Sequence, residues 1–264
     1  MTIHPRWLGL LLCAAGLPVP AADAINTDRP DFVESSDVVD AGRLQIETGV
    51  SVERDRSGTL SSRIRSTPTL LRFGLGHELE ARIEGDGLLR SRSSDSATGV
   101  TSTASGAADV SLGIKWRSAG GDAKTGAPAT AWLLHVDVDS GSAAFRGSGL
   151  RPSLRFVAEW DLADDWSIGV MPGLMRDTDD NGKHFVAGLF AVTVSTEIAP
   201  RWHAFAELAA PRIAPSSRGG TMASFDTGVT YAIGNDMQVD LALLRGLTRQ
   251  TPDLTVGVGF SIRF

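Results

Sequence analysis

The sequence predicts an all-β protein, an antiparallel up-and-down transmembrane β-barrel of about twelve strands with both termini on the periplasmic side. Apolar and polar residues alternate in twelve stretches along the chain, which is the period of a strand with one apolar face. The last stretch, residues 253–264, alternates without interruption up to the terminal Phe264. An even number of strands is also what a single-chain barrel requires when its termini share one side of the membrane.

The first 24 residues have the pattern of a cleavable secretory signal. Arg6 provides a positive charge, residues 7–17 form a short apolar run, and small residues precede the expected cleavage after Ala24. Cys13, the only cysteine of the sequence, lies inside this run, so the mature chain is expected to have no disulfide and no cysteine ligand for a metal. No apolar run reaches the roughly 20 residues of a membrane-spanning helix. The net charge of −6 argues against nucleic acid as a partner.

Residues 25–41 form a polar segment before the first predicted strand. Asp28, Arg29 and Asp31 concentrate charge in a stretch that has little apolar material. One interpretation is a plug that enters the periplasmic mouth and pairs these charges with lumenal Arg or Glu side chains. The other is a flexible leader, as chain termini often are. The sequence leaves both open, and the barrel itself is expected to comprise residues 42–264.

The predicted strands are separated by turns rich in Gly, Pro, Ser and Asp. They cover residues 43–53, 64–75, 79–89, 108–116, 130–138, 150–162, 166–175, 184–196, 202–210, 224–233, 237–244 and 253–264. In the first of them Leu44 and Ile46 face lipid, whereas Gln45 and Glu47 face the lumen. The eighth is apolar on both faces, so alternation does not determine its register.

The connections between the predicted strands alternate in length. Tight turns such as residues 234–236 are expected on the periplasmic side, and longer polar loops, including residues 54–63 and 90–106, on the external side. Residues 117–128 are an exception, because they are too long for a tight periplasmic turn. Aromatic residues fall near the predicted periplasmic strand ends, where an amphipathic ring suits the membrane interface: Trp116, Trp160, Trp166, Trp202, Tyr231 and Phe264.

The polar faces of the predicted strands carry many charges, which would line the lumen. The lumen and constriction candidates are Arg72, Glu80, Arg82, Glu84, Asp86, Asp109, Lys115, His135, Arg151, Arg155, Glu159, Glu207 and Asp240. They form either a narrow polar path with a ligand site or a set of pairs that holds the lumen shut, since charges removed from water need partners. The strongest constriction candidate is the cluster of Glu80, Arg82, Glu84 and Asp86, opposite strands that bear Arg151 and Arg155.

Several segments resemble one family of outer-membrane proteins. Residues 27–32, Thr-Asp-Arg-Pro-Asp-Phe, and residues 42–49, Gly-Arg-Leu-Gln-Ile-Glu-Thr-Gly, are similar to the opening of the outer-membrane transporter family labelled "MetA-pathway of phenol degradation". The similarity continues through residues 71–75, 78–80, 106–116 and 228–231 and through Asp240, so it covers essentially the whole mature chain. The family label implies uptake of aromatic compounds, but it defines no substrate and no binding residues.

Two classes of function follow. The first is a passive, porin-like channel or transporter for small, aromatic or hydrophobic molecules, embedded in the outer-membrane lipid of a Gram-negative cell. The second is a non-conducting barrel, structural or adhesive, which acts through its external loops. In either class Phe264 is expected to be the signal that the barrel insertion machinery reads, as in the barrels that this chain resembles. No cofactor is expected, and the sequence leaves the oligomeric state open.

A barrel-embedded hydrolase fits the sequence less well. His135 with Asp137, or His203 with Glu207, are candidate members of a triad, but no serine lies in a recognisable nucleophile motif. Histidines at lumen positions are more often hydrogen-bonded fillers. Residues 177–182 resemble a calcium loop without its distal glutamate, which favours a solvated external turn. The sequence therefore predicts neither an enzyme nor a metal site.

Overall fold

The computed structural model of the protein describes residues 24–264, apart from residues 77, 163, 164 and 180. The predicted signal segment, residues 1–24, lies outside the described residues except for its last position. Within these described ranges no helix is long and apolar enough to cross a membrane.

Over the described residues, the regular structure consists of fifteen β-segments and a short 3-10 turn at Ser216–Arg218. The segments are β1 (Leu44–Ser57), β2 (Leu60–Ser66), β3 (Thr69–Gly76), β4 (Leu79–Gly85), β5 (Leu88–Asp95), β6 (Thr101–Ala107), β7 (Val110–Ala119), β8 (Ala129–Val138), β9 (Arg151–Asp161), β10 (Trp166–Thr178), β11 (His184–Ala199), β12 (Trp202–Ile213), β13 (Met222–Ile233), β14 (Met237–Gly246) and β15 (Leu254–Arg263).

These segments make twelve antiparallel spans, which confirms the predicted number. Three spans contain two segments each, namely β2 with β3, β4 with β5, and β6 with β7. Two of the interruptions contain Pro68, which has no N–H to donate, and Gly87, which has a φ of +63°. Consecutive spans pair with each other, and β15 pairs with β1 from Gln45↔Arg263 to Arg54↔Leu254, so the sheet closes into a barrel.

The barrel has an apolar outer surface and a largely polar interior. Leu134, Leu174 and Val258 are 52%, 58% and 56% exposed on the outside, whereas Glu47 and His135 are buried inside. Closure satisfies the backbone hydrogen bonds of the sheet, and the apolar surface faces lipid without a desolvation cost. This is the architecture of a barrel that spans a bacterial outer membrane.

The first spans extend further than the sequence predicts. Residues 54–63, expected as a loop, are strand except for a tight turn between β1 and β2. Residues 90–106, also expected as a loop, form the hairpin of β5 and β6. Both predictions are wrong, because these strands carry polar residues on both faces and apolar alternation cannot reveal them.

Part of the interior is apolar. Leu133, Val157, Met171, Leu189, Ala191 and Ala209 are buried and form a cluster with Val33, against which Phe32 packs. These barrel residues come from β8 to β12 and point inward. The eighth span, β11, has both its inward face, with Leu189 and Ala191, and its lipid face apolar. The structure thereby sets the register that alternation leaves undetermined.

Candidate functional site

The lumen contains the polar N-terminal segment of the chain. Residues 25–41, called here the lumenal segment, contact spans from most of the barrel circumference. Four of its stretches donate backbone N–H groups to carboxylates on the barrel wall. Asp28 N donates to Glu47 Oε2 at 3.0 Å. Phe32 N and Val33 N donate to the carboxylate of Glu207, at 2.8 and 2.7 Å. Ser36 N donates to Glu159 at 2.5 Å, and Val39 N donates to Glu80 at 2.9 Å. A segment without secondary structure needs such partners when it is buried, so the barrel wall provides them.

The side chain of Asp28 is the main ionic contact of the lumenal segment. Lys115 Nζ lies 2.9 Å from both carboxylate oxygens of Asp28. Arg82 donates to the same carboxylate, and Arg72 Nη1 lies 3.5 Å from it. Burial alone would raise the pKa of Asp28, but the three cations outweigh burial and hold the pKa below its usual range. Asp28 is therefore ionised and held by strands β3, β4 and β7.

Arg72 connects this contact to the first span. Its guanidinium lies 3.0 Å from Glu47 and 2.9 Å from Glu80, and its side chain is 1% exposed. Arg82 also pairs with Glu80, at 2.9 Å. The charges at this level form one paired network, as buried charges require.

Two further pairs fix the segment on other sides of the lumen. Arg29 Nη2 lies 3.2 Å from Asp240 Oδ1 on β14. Glu34 pairs with Arg82 at 2.7 Å and with Arg155 on β9. Glu47 faces the lumen, as its place on the polar face of the first strand predicts. Neither Glu47 nor Glu34 was among the predicted constriction or plug residues. Their roles depend on the path of the segment, which no sequence spacing encodes.

The predicted constriction cluster is only partly assembled. Arg155 Nη2 comes within 4.0 Å of Glu84 Oε1, and His135 Nδ1 lies 3.5 Å from the same carboxylate oxygen. Arg151 instead binds Asp109, at 2.7 Å, and lies 3.7 Å from Asp137. Asp86 is exposed at the break between β4 and β5. Arg151 is therefore not part of the Glu80–Asp86 cluster but holds a neighbouring loop, since Asp109 also accepts the N–H groups of Gly141 and Gly147.

Asp31 lies near the carboxylates of Glu159 and Glu207, whereas Asp28 lies among cations. Burial raises the pKa of Asp31 to about 7; a backbone hydrogen bond opposes this shift, and the carboxylate of Glu159 adds to it. Asp28 and Asp31, three residues apart in the same segment, thus lie in opposite electrostatic surroundings.

Of the cavities that adjoin the lumenal segment, two are larger than the one beside Asp37 and Val39. The larger of these two, called here the vestibule, has a volume of about 1010 Å³ and opens at the barrel end opposite the termini. Its walls include the apolar Leu70, Leu89 and Phe145 among mostly charged residues, and Arg29 of the segment contributes to its floor. The smaller cavity, about 270 Å³, lies between the segment and β9 to β14. Its lining combines Pro30, Val33 and Phe205 with Ser, Thr and carboxylate groups.

One group of side chains has metal-ligand chemistry. Candidate ligand atoms of Glu34, Glu84 and His135 lie within 4.8 Å of one another. The two carboxylates already face Arg82 and Arg155, so these cations compete directly with a metal ion. In the acidic loop at residues 177–182, Asp177 pairs with Arg212 at 3.4 Å, and Asp179 accepts the N–H groups of Asn181 and Lys183. These contacts suit a hydrogen-bonded turn.

The terminal residue lies at the seam of the barrel. Phe264 N donates to Leu44 O at 2.8 Å, and the Nε of Arg43 donates to Phe264 O at 3.0 Å. Phe264 as a whole is 61% exposed. Trp116, Trp166 and Trp202 are exposed at the same end of the barrel.

Fold and lumen together define a class: a closed twelve-span transmembrane barrel whose own N-terminal segment lies in the lumen. The chain belongs to the family described as "Putative MetA-pathway of phenol degradation", whose model matches residues 27–264. No curated protein matches the sequence.

Solved structures share the fold. An outer membrane channel from Pseudomonas putida F1 is 12% identical with a TM-score of 0.62, over 87% of this chain and 98% of that one. The β domain of the Bordetella autotransporter BrkA is 15% identical with a TM-score of 0.51, over 84% and 99%. The NanC porin is 11% identical with a TM-score of 0.50, over 83% and 98%. At these identities the likeness concerns the fold.

Proposed function

We propose that the protein is a passive channel for small solutes across the outer membrane, gated by the lumenal segment. One observation carries the proposal. The segment is held in the lumen by side-chain pairs and single hydrogen bonds, and an open vestibule lies next to it. A segment that is not a strand of the sheet can leave the lumen without breaking the barrel. The proposal places both termini on the periplasmic side of the membrane. In this orientation the vestibule opens toward the outside of the cell.

The proposed solutes are small aromatic molecules that carry a polar group. Family membership supports this class through its reference to phenol degradation. The smaller cavity supports it physically, because Phe205 and Val33 offer apolar contact beside the hydroxyl groups of Ser167 and Thr193. The proposal assigns no catalytic step to any residue.

Liposome swelling tests the proposal. Proteoliposomes are exposed to phenol, benzoate and a sugar of similar size, with protein-free liposomes as the control. After the rate of protein-free liposomes is subtracted, the swelling rate is expected to be higher with phenol than with the sugar. If no solute permeates through the parent protein or through a variant that lacks residues 25–41, the channel proposal fails.

That negative result would favour the second candidate, a non-conducting barrel that acts through its external part. The charged network around Arg72 and Lys115, both fully buried, favours such a closed state. The hairpins of β1 with β2 and of β5 with β6 supply an external polar surface.

For assembly, we propose that the barrel insertion machinery binds the terminal strand at Phe264. Its exposure and its position at the β1–β15 seam support this role. Removal of Phe264 is expected to lower the yield of heat-modifiable, membrane-inserted protein, whereas Phe260→Leu, a lipid-facing change within the same strand, is the control. Normal insertion of the truncated protein would contradict the role.

A further inference from the structure

Six arginines form an exposed patch on the outward face of the barrel, at the end opposite the termini. The patch consists of Arg54 and Arg56 on β1, Arg63 and Arg65 on β2, and Arg90 and Arg92 on β5, all exposed. Its outward orientation follows from strand alternation. Arg54 continues the face of Val50, which is 55% exposed, and Arg90 continues the face of Leu88, which is 68% exposed. The arginine patch therefore begins where the apolar band ends.

The arginines lie directly opposite one another across three strands. Arg54 pairs in register with Arg63, and Arg63 with Arg92, which makes a row of three. Arg65 pairs with Arg90 in the row below, next to Val52. Like charges directly opposite each other in a sheet are destabilising, because their side chains are only about 5 Å apart at Cβ. The row is stable when an anion lies between the guanidinium groups.

No acidic side chain in the described part of the chain supplies that anion, since none of the six arginines forms an ion pair there. Other arginines at this end do have partners, such as Arg151 with Asp109 and Arg212 with Asp177. A groove of about 490 Å³ runs over Arg54, Arg63 and Arg92, with Asp55 and Asp253 also in its lining.

We propose that this arginine patch binds the phosphate groups of an anionic glycolipid in the outer leaflet of the membrane. Guanidinium groups bind phosphate bidentately, and a row of three can hold two phosphates on one lipid. The lipid chains then lie along the apolar band below, beside Val50 and Leu88. Position and charge together favour a lipid over a soluble polyanion. The proposal rests on the orientation given under the proposed function, with the patch on the outer side.

Binding of diphosphoryl lipid A to the purified full-length protein in detergent tests the proposal. The variant Arg54→Gln/Arg63→Gln/Arg92→Gln removes the row. The control Arg176→Gln/Lys183→Gln/Arg249→Gln removes three exposed charges elsewhere at the same end. The parent and the control are expected to bind alike, and the row variant more weakly by on the order of 100-fold, at about fivefold per arginine. Heat-modifiable mobility verifies that each variant is folded.

Two comparisons on the parent protein need no variant. Lipid A without its phosphates is expected to bind far more weakly than diphosphoryl lipid A, and inositol hexakisphosphate, which has no acyl chains, is also expected to bind weakly. Equal binding of the row variant and the control, or of the two lipids, would overturn the proposal. Tight binding of inositol hexakisphosphate would identify a soluble polyanion site instead. Permeation is not measured here, so failure of lipid binding is distinct from failure of the channel.

Discussion

Lys115 Nζ lies 2.9 Å from both carboxylate oxygens of Asp28, 87 positions away in the sequence. In the described part of the chain Asp28 is the only carboxylate within ion-pair distance of Lys115, and both side chains are buried. Their contact attaches the lumenal segment to β7, next to the pairs that Asp28 makes with β3 and β4. The position of the segment therefore depends strongly on one side chain.

Substitution Asp28→Asn is expected to release the segment. Removal of one partner from a buried pair costs about 3–5 kcal/mol, which shifts a seated segment toward its free state. Planar bilayers should show a several-fold higher open probability for this variant than for the parent. Asp40→Asn, an exposed position of the same segment, is the control. Unchanged openings in the Asp28 variant would show that the segment does not obstruct the lumen.

Two neighbouring leucines test the interior of the barrel. Leu133 is fully buried in the apolar cluster, whereas Leu134 is 52% exposed on the outer surface. Leu133→Ala is expected to lower the free energy of unfolding by about 2–5 kcal/mol, because it leaves a cavity. Leu134→Ala should cost clearly less, since its side chain loses only lipid contact.

The free energies can be obtained from urea titrations of the heat-modifiable form in detergent micelles. Equal losses for the two variants would mean that the register of β8 is different from the one observed.

The raised pKa of Asp31, about 7, predicts a pH dependence of gating. The ordinary pKa of an aspartate is 3.8, so between pH 4 and pH 7 the segment bound in the lumen carries one more proton than the released segment. Binding of the segment in the lumen therefore weakens as the pH rises through this window. Asp28, whose pKa is lowered, stays ionised throughout the window and adds no dependence there.

Bilayer recordings of the parent protein should therefore show fewer openings at pH 5 than at pH 7.5. The variant Asp31→Asn cannot titrate at this position and should show a smaller difference. An equal or reversed difference in that variant would exclude Asp31 as the source.

The sequence predicted the barrel well because lipid imposes a strict period on each span. Val256, Val258 and Phe260 alternate with small residues, and this pattern needs no tertiary information. The strand extensions around Arg63 and Arg92 were missed, since outside the membrane both faces of a strand can be polar. The apolar interior near Leu189 was missed for the opposite reason, because apolar residues on both faces remove the alternation.

The sequence could not predict which acidic residue each lumenal arginine binds, and the reason is geometric. Arg151 and Arg155 are four residues apart on one strand, yet Arg151 binds Asp109, at the break between β6 and β7, and Arg155 binds Glu34. Which acid each arginine meets depends on the path of the lumenal segment and of the loop at residues 139–149. Neither path follows from strand spacing.

A reversible covalent lock tests the central claim, that the lumenal segment closes a passive channel and must move to open it. A Cβ on Gly169 would lie 2.9 Å from Val33 Cγ1, so the double variant Val33→Cys/Gly169→Cys places two thiols together between the segment and β10. The only natural cysteine is Cys13, in the predicted signal, so other pairings are not expected. The two single-cysteine variants are the controls.

Liposome swelling with phenol is then measured for the oxidised and the reduced double variant. The account predicts swelling at the protein-free rate when the segment is locked, and recovery to the rate of the parent protein after reduction. Equal, rapid swelling in the oxidised and reduced states would contradict it.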